Sequence, residues 1–339
     1  MKLQVPQITL ALLLVLDGGI ANAVPVPILD VPALAAESDL IVVGNVKSIR
    51  DGGATSVGIS GGGSVPARLV LCEIEVDSVQ KGTIDGRRIS FRYVLPGEPI
   101  GYASVVEGYQ MLFLKKVNSE YALASPYHAA LPAVPGTGDG GGDYLARIAV
   151  HLGAVLQSPA ASLGQKQIVL YALSTIRTPE STGLLREGLE QRDAALRLGA
   201  AGFLLLRDDL SGMETAEYAL THTDNLSRNT LHNLDYAIGE GVKSKDAVPA
   251  LSRLAQVQDL ETRRAAASAL RHTGSKSALG PLAYLLDDSD LQVRHDAVMG
   301  LAEITGDLEW APNLDLFQSE EQRYLKHWHD WASANGLSR

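Results

Sequence analysis

A glycine-rich segment at residues 58–62, GISGG, fits the G-x-S-x-G pattern that surrounds the nucleophilic serine of many hydrolases. That pattern is functional when a strand precedes the serine and a helix follows it, because the strained turn between them exposes the hydroxyl group. Ser60 instead lies in a glycine-rich loop between two strand-like runs. We therefore predict that Ser60 is not a nucleophile, and we predict no catalytic residue elsewhere in the chain.

A second glycine-rich segment, GTGDGG at residues 136–141, fits the G-x-G-x-x-G pattern of dinucleotide-binding loops. No strand-like run precedes it, and Asp139 and Asp143 would repel a pyrophosphate. These two aspartates also lack the spacing of a calcium-binding loop. The segment is therefore predicted to be a linker, and the chain is predicted to bind no cofactor.

The histidines and the cysteine are the remaining candidates for metal binding or nucleophilic chemistry. His327 and His329 are two residues apart, so on a helix they lack the i, i+4 spacing of a zinc-binding pair. The single cysteine, Cys72, lies in the strand-like run LVLCEIEV, and no neighbour in the sequence would lower the pKa of its thiol. We predict no metal site and a buried, unreactive thiol.

Five basic residues recur at nearly constant spacing in the second half of the chain: Lys166, Arg197, Arg228, Arg263 and Arg294, which are 31, 31, 35 and 31 residues apart. They could line a groove for an acidic partner. Alternatively, each could pair with an Asp or Glu of its own or the next repeat. The formal net charge of −10 favours this structural ladder.

The same period is seen in the apolar residues, which places these cations on helices. Arg263 and Arg294 are each followed by an alanine three residues later, Ala266 or Ala297, and by a leucine seven residues later, Leu270 or Leu301. Each preceding aspartate, Asp259 or Asp290, is predicted to cap a helix. A period of 31 residues with helical spacing inside each unit is typical of an α-solenoid of helical hairpins. The gap of 35 residues predicts an insertion near 233–246, and Asp235 stands where a leucine is expected.

The pattern D-L-x-x-R-x-x-A-x-x-x-L at 259–270 and 290–301 resembles HEAT-type repeats, especially the short variety found in phycobilisome-lyase-like proteins. The resemblance covers roughly residues 146–306. It implies an α-α superhelix and, usually, a protein-binding role. The His-Glu pairs of metal-binding HEAT-repeat hydroxylases are missing from this sequence.

The first half of the chain has the pattern of strands. Five short runs rich in Val, Ile, Leu and aromatic residues are separated by glycine-rich segments such as 56–64. Apolar and polar side chains alternate most clearly within the run LCEIEVDSV at 71–79. We predict a small antiparallel barrel or sandwich. The runs resemble OB-like barrels of the netrin-module and metalloprotease-inhibitor kind, although the N-terminal cysteine by which those inhibitors chelate zinc is missing here.

The first residues resemble an export signal. Lys2 precedes an apolar run from Ile8 to Leu16, and Ala21-Asn22-Ala23 supplies the small-x-small cleavage pattern. The apolar run is about half of the ~20 residues that a membrane span needs. We predict a cleaved signal peptide, and therefore a periplasmic or extracellular protein without stable membrane insertion.

Together these patterns predict an α+β multidomain chain. Its segments are a signal peptide (1–23), a small β domain (24–132), a Gly/Pro linker (133–143), a HEAT-like solenoid of about five repeats (144–308), and a capping helix and tail (309–339). In that last helix Tyr324, Trp328 and Trp331 share one face, which is predicted to seal the open end of the solenoid.

The function predicted from these elements is non-catalytic binding of another protein, on a concave face made by the second helix of each repeat. The excess of acidic residues is unfavourable for non-specific nucleic-acid binding. Two alternatives stay open. One is an extracytoplasmic enzyme with a site in the β domain or an interdomain cleft, and the other is an inhibitor or sensor of such an enzyme.

Mass spectrometry of the protein isolated from an exported fraction tests the signal peptide. The expected N-terminal residue is Val24 or a near neighbour, because a signal peptidase cleaves after the small-x-small motif. Recovery of the chain with Met1 and the apolar run intact would contradict this prediction.

Overall fold

The computed structural model describes residues 29–58, 63–96, 105–128, 130–138, 141–224 and 226–337. The predicted signal peptide, with Ala21 and Ala23, lies outside the described residues, and so do Ser60 and Asp139. A β-sheet is followed by a series of helices, which confirms the predicted fold class. The chain divides into two compact units, residues 1–181 and 182–339.

The sheet of the first unit follows a short helix, α1 (Val31–Glu37), whose N-terminus is capped by the side chain of Asp30. Five of its strands correspond to the five predicted runs, and a short sixth strand was not predicted. The described strands are β1 (Leu40–Gly58), β2 (Ser64–Lys81), β3 (Arg88–Pro96), β4 (Gly108–Val117), β5 (Glu120–Leu123) and β6 (Ala130–Pro132).

The strand pairings form a ring. β1 pairs antiparallel with both β2 and β4, so that the order β1-β2-β3-β5-β4 returns to β1, and β6 adds to β4. The ring is completed by only two residue pairs between the parallel strands β3 and β5, Phe91 with Tyr121 and Arg92 with Ala122. The sheet is thus an irregular barrel.

The hairpin of β1 and β2 is longer than the sequence pattern indicated. The segment 56–64 was predicted to be a loop between strands, whereas β1 continues to Gly58 and β2 begins at Ser64. The register stays paired as far as Gly58 and Ser64. The backbone hydrogen bonds of the hairpin therefore extend beyond the buried part of the sheet, into residues whose side chains are mostly exposed.

Two helices complete the first unit by packing on the sheet. In α2 (Tyr144–Gln157), His151 is buried, and its Nε2 lies 3.0 Å from Nε2 of Gln80 on β2. The guanidinium group of Arg147 donates to the carbonyl oxygen of Gln80. These bonds compensate for burying polar groups between sheet and helix. The first helices after the linker thus belong to the same compact unit as the sheet.

The helices after the sheet form hairpins, each with a first and a second helix. Every second helix is preceded by a polar N-cap residue. The side chain of that residue accepts a hydrogen bond from a backbone N–H of the first turn of the helix, which would otherwise be unpaired. The pairs are α2 with α3 (Leu163–Thr175), α4 (Pro179–Gly188) with α5 (Ala194–Leu205), α6 (Met213–Thr221) with α7 (Arg228–Gly241), α8 (Val248–Leu254) with α9 (Leu260–His272), and α10 (Leu279–Leu285) with α11 (Leu291–Thr305).

In the second unit, the second helices stack side by side and contact one another more extensively than the first helices do. Ala266 and Leu270 of α9, and Ala297 and Leu301 of α11, are completely buried, as the periodicity predicted. The approach is closest where α7 ends, because a Cβ atom on Gly241 would lie 2.3 Å from the carbonyl oxygen of Leu205. Each hairpin therefore buries its apolar face on its neighbours.

The last helix, α12 (Leu314–Ala334), packs against the end of this stack. Phe317, Tyr324 and Trp328 are buried in the shared core, and Trp331 packs on it partly buried. The indole nitrogen of Trp328 donates to the carbonyl oxygen of Trp310. The aromatic stripe is thus part of the hydrophobic core. None of the helices in the described part of the chain has the length and apolar character that crossing a membrane requires.

Two substitutions in α11 test the stacked core. Replacing the fully buried Leu301 by Ala should lower the free energy of unfolding by roughly 2–5 kcal/mol, since it leaves a cavity. Ala297→Leu should lower the free energy of unfolding by about 1–3 kcal/mol, because the closely packed contact of α11 with its neighbours has no room for a larger side chain. Urea unfolding measures both.

Leu308→Ala is the matched control, because this leucine is 63% exposed. Its expected effect is within about 0.5 kcal/mol. Near-neutral results for both α11 variants would mean that the second helices do not share a packed core.

Candidate functional site

Four of the five repeated basic residues occupy the same structural position, the fourth residue of a second helix. Arg228 differs, because it is the first residue of α7, and the equivalent of the other cations is Leu231. The N-cap residues are Ser162, Asp193, Ser227, Asp259 and Asp290, which are 31, 34, 32 and 31 residues apart. Most of the additional residues therefore lie before α7, and the predicted insertion near 233–246 is wrong.

The arginines at this position close the turn of their own hairpin. Nη1 of Arg263 donates to the carbonyl oxygens of Val257 (3.2 Å) and Gln258 (2.7 Å), in the turn between α8 and α9. Arg197 makes the corresponding bonds to the carbonyl oxygens of Gln191 and Arg192. Arg294 likewise donates to the carbonyl oxygen of Asp288. These carbonyl oxygens lie in the turn between the two helices of a hairpin, so each arginine ties its second helix to that turn.

Two of the same arginines also bind the next hairpin or helix. Nε of Arg263 lies 2.8 Å from Oδ2 of Asp288, and the two side chains are 14% and 9% exposed. Nε of Arg294 donates to Glu321 of α12 over 2.6 Å. Removing one partner from such a buried pair leaves an uncompensated charge, which is costly. These contacts agree with the structural-ladder interpretation.

Further contacts of this ladder were not recognised in the sequence. Arg264 binds Asp290, the N-cap of the next second helix, at 2.8 Å. Arg271 binds Glu303 at 2.6 Å and lies 3.4 Å from Asp296. The only sequence signal for these pairs was the period itself, since each acid follows its arginine by about one repeat.

Lys166 and Arg228 are the two members outside the ladder. Lys166 is half-buried in α3, in the first unit, and Arg228 is exposed at the start of α7. Over the described ranges of the chain, neither side chain has an ion-pair partner. For these two residues the contacts do not decide between a structural and a partner-binding role.

A groove of about 610 Å³ opens beside Arg197, between α5 and α6 and the loop that follows α6. We call it the Tyr218 groove. Tyr218 is 67% exposed and stacks on His222, with ring centroids 4.4 Å apart and an angle of 16° between the planes. Glu214 and Asp224 line the same groove. It combines an exposed aromatic ring with two carboxylates.

A second groove, of about 460 Å³, opens beside Arg263 between the end of α8 and α10. We call it the Tyr284 groove. Tyr284 is 38% exposed, and Asp287 and Asp288 lie beside it. Asp288 is bound by Arg263, whereas Asp287 is exposed and lies 3.3 Å from Nε2 of His329. Like the Tyr218 groove, this groove combines an exposed tyrosine ring with two carboxylates.

The two grooves are equivalent in the repeat. Tyr218 is the sixth residue of α6, Tyr284 is the sixth residue of α10, and the sixth residue of α8, between them, is Arg253. The guanidinium group of Arg253 binds Glu217, the neighbour of Tyr218, at 2.8 Å. These three residues therefore form one edge of the second unit, which we call the Tyr-Arg-Tyr edge.

The other candidates for chemistry are held by structural contacts. Cys72 is buried, as predicted, and burial raises the pKa of its thiol to about 11, which disfavours the thiolate. Asp143 caps α2. His327 stacks on Trp310, and His295 contacts the carbonyl oxygen of Pro312. Among the residues that the structure describes, no three His, Cys, Asp or Glu side chains are grouped so that they could hold a metal ion.

Asp235 is a buried carboxylate in the core of the second unit. It is 6% exposed, and the equivalent residues of the other second helices are Leu170, Ala201, Ala267 and Val298, all of them apolar. Within the described residues its Oδ1 has no hydrogen-bond partner. Burial raises the pKa of Asp235 to about 6, and the charges of Asp259 and Glu261 act in the same direction, whereas Thr262 and His232 act against them.

A family model described as HEAT repeats matches residues 220–302. This stretch begins at the end of α6, extends through most of α11, and contains the Tyr284 groove and the best-formed part of the ladder. The HEAT resemblance found in the sequence is thereby confirmed, while its phycobilisome-lyase-like variety stays a prediction.

The solved structures that match part of the chain include an engineered protein and a designed repeat protein. One engineered protein has 19% identity and a TM-score of 0.34, with 47% of this chain and 80% of that chain covered. A designed armadillo repeat protein in complex with a (KR)4 peptide has 17% identity and a TM-score of 0.35, with 53% and 97% covered. None of the curated proteins compared with the chain matches it.

Asp235 makes the stability of the second unit depend on pH. The unfolded carboxyl group has a pKa near 3.9, below that of the folded one, so the folded state binds the proton more tightly and loses stability as the pH rises through about 6. Asp235→Asn stays neutral. Its advantage over the natural protein should grow by on the order of 2 kcal/mol between pH 4.5 and pH 8.

Urea unfolding at the two pH values measures this difference. Glu240→Gln, which neutralises an exposed carboxylate on the same helix, is the control and should show no such growth. A constant difference between Asp235→Asn and the natural protein would show that Asp235 titrates normally.

Proposed function

We propose that the chain is an exported, non-catalytic scaffold that binds another protein through the Tyr-Arg-Tyr edge. HEAT and armadillo-like repeats are typical protein-interaction scaffolds, because their stacked hairpins present long, regular surfaces. The observation that carries this proposal is the repetition of one groove at two equivalent places, each beside a solvent-exposed tyrosine.

Exposed tyrosines are suited to this role. Tyrosine and arginine are enriched at protein interfaces and at their energetic hot spots, since both bury a large area and keep a polar group. Tyr218 is among the most exposed large side chains of the described chain. Neither Tyr218 nor Tyr284 is part of the hydrophobic core of the second unit.

The ladder supports the same location for the partner. The guanidinium groups of Arg197 and Arg263 are already bound to carbonyl oxygens, and that of Arg263 is also bound to Asp288. They fix the shape of the two grooves rather than reaching into solvent. This favours a binding surface on the edge beside the repeated arginines, instead of one made by the arginines themselves.

The proposal of export rests on the sequence of residues 1–23. A scaffold of this kind would act in the periplasm or outside the cell, where its lack of disulfides leaves stability to packing. We propose that it binds neither nucleic acid nor a cofactor, and that no catalytic step takes place at the two grooves.

Affinity capture from the exported fraction with the immobilised full-length chain tests the scaffold. The double variant Tyr218→Ala/Tyr284→Ala should weaken the binding of a captured partner by roughly 10- to 30-fold, because it removes two aromatic anchors. Titration of the purified partner gives the affinity.

Ile168→Ala is the control, because it shortens an exposed apolar side chain that lines neither groove. It should bind like the natural protein. Equal binding by the double variant would mean that the partner uses another surface.

A further inference from the structure

We propose that the partner binds the Tyr-Arg-Tyr edge with an extended segment that carries two arginine or lysine side chains about six residues apart. One cation enters the Tyr218 groove and the other enters the Tyr284 groove. This inference rests on the proposed function and specifies the chemistry of the partner.

The charges of the grooves favour a cation. Two carboxylates outnumber the one charge of Arg197 in the Tyr218 groove, and Asp288 compensates the charge of Arg263 in the Tyr284 groove. The carboxylates of Glu214 and Asp224 are exposed in the Tyr218 groove, and among the described residues they have no ion-pair partner. Each groove thus has negative charge left over for a basic side chain.

In the Tyr284 groove the corresponding group is Asp287. Its contact with His329 is long, at 3.3 Å, and both side chains are about half exposed. An arriving guanidinium or ammonium group would replace this weak contact with a charge-assisted hydrogen bond.

The aromatic rings select the same chemistry. A cation that lies over a tyrosine ring is attracted by the negative face of the ring, and arginine also stacks on it. Tyr218 is held in one orientation by its stacking on His222. Binding a partner would therefore cost little conformational entropy of this side chain. Each groove thus combines a tyrosine ring with carboxylates, which is the chemistry that binds an arginine.

The spacing follows from the repeat. The two tyrosines lie two repeats apart, and packed helices are about 8–10 Å apart, which gives roughly 20 Å between the grooves. An extended chain advances about 3.3 Å per residue, so the two cations should be about six residues apart.

The middle of the edge adds a second restriction on the segment. Arg253 is mostly exposed there, and Glu217 holds it in place. A basic residue midway between the two cations would approach this guanidinium group and be repelled. A small, polar or acidic residue fits better, and the edge would therefore reject a segment in which every residue is basic.

Fluorescence anisotropy with labelled peptides tests this inference on the full-length chain. The probe is a glycine- and serine-rich peptide with two arginines six positions apart. It should bind at least about tenfold more tightly than the same peptide with arginines three positions apart, and binding should weaken with added salt. A peptide with glutamates in place of the arginines should not bind.

Five variants, of which Glu240→Gln is the control, locate the binding of the peptide. Tyr218→Ala and Tyr284→Ala should each reduce the affinity to that of a peptide with one arginine, and Glu214→Gln should weaken binding about threefold and reduce its salt dependence. Tyr218→Phe keeps the ring and should bind within about twofold of the natural protein. Glu240→Gln removes a carboxylate that lines neither groove and should change nothing.

Three results would overturn the inference: tighter binding of the glutamate peptide, equal binding of both arginine spacings, or no effect of the two alanine variants. Its failure is distinguishable from failure of the proposed function. If a captured partner needs both tyrosines but the arginine peptide neither binds nor competes with it, the edge binds protein with other chemistry. If no partner depends on the tyrosines, the proposed function fails as well.

Discussion

The burial of each helical hairpin against its neighbours is the constraint on which the second unit depends. A hairpin of this length has an apolar face that it cannot cover alone, so its second helix packs between those of the adjacent hairpins. Ala266 and Leu270 of α9 and Ala297 and Leu301 of α11 are inaccessible to solvent for this reason. The same requirement places Phe317 and Trp328 of α12 over the last hairpin, which has no further neighbour.

The ladder and the grooves follow from this stacking. Once the hairpins are in register, the fourth residue of a second helix lies beside the turn of its own hairpin and near the turn of the next one, so Arg263 reaches both Gln258 and Asp288. The sixth residues of α6, α8 and α10 remain exposed at the edge of the stack. The exposure of Tyr218 and Tyr284 is thus a consequence of the position that they share in the repeat.

Much of the helical architecture could be predicted because the repeat depends on local features of the sequence, namely N-cap residues and the spacing of apolar residues. Asp259 and Asp290 cap their helices as predicted, since an N-cap depends only on the next three residues. Arg228 was placed out of register because α7 has Leu231 where the other second helices have a cation. The ring of strands and the short β6 depend on pairings between distant segments, which no local pattern encodes.

The Tyr-Arg-Tyr edge was missed for a different reason. Its members lie in the short first helices, where the repeat is degenerate, and Arg253 interrupts the recurrence of tyrosine. Only their common position and their exposure show that they belong together. Exposure is a property of the folded chain, so the sequence could not distinguish Tyr218 from a tyrosine of the core such as Tyr324.

Hydrogen exchange of the full-length chain, with and without its captured partner, tests the central claim most directly. The account predicts slower exchange of backbone amides at two separate places, the loop that begins at His222 and the turn from Asp287 to Ser289, because both border the grooves. Both places should be protected at the same partner concentration. Protection confined to the β-sheet, or to the stacked second helices, would contradict it.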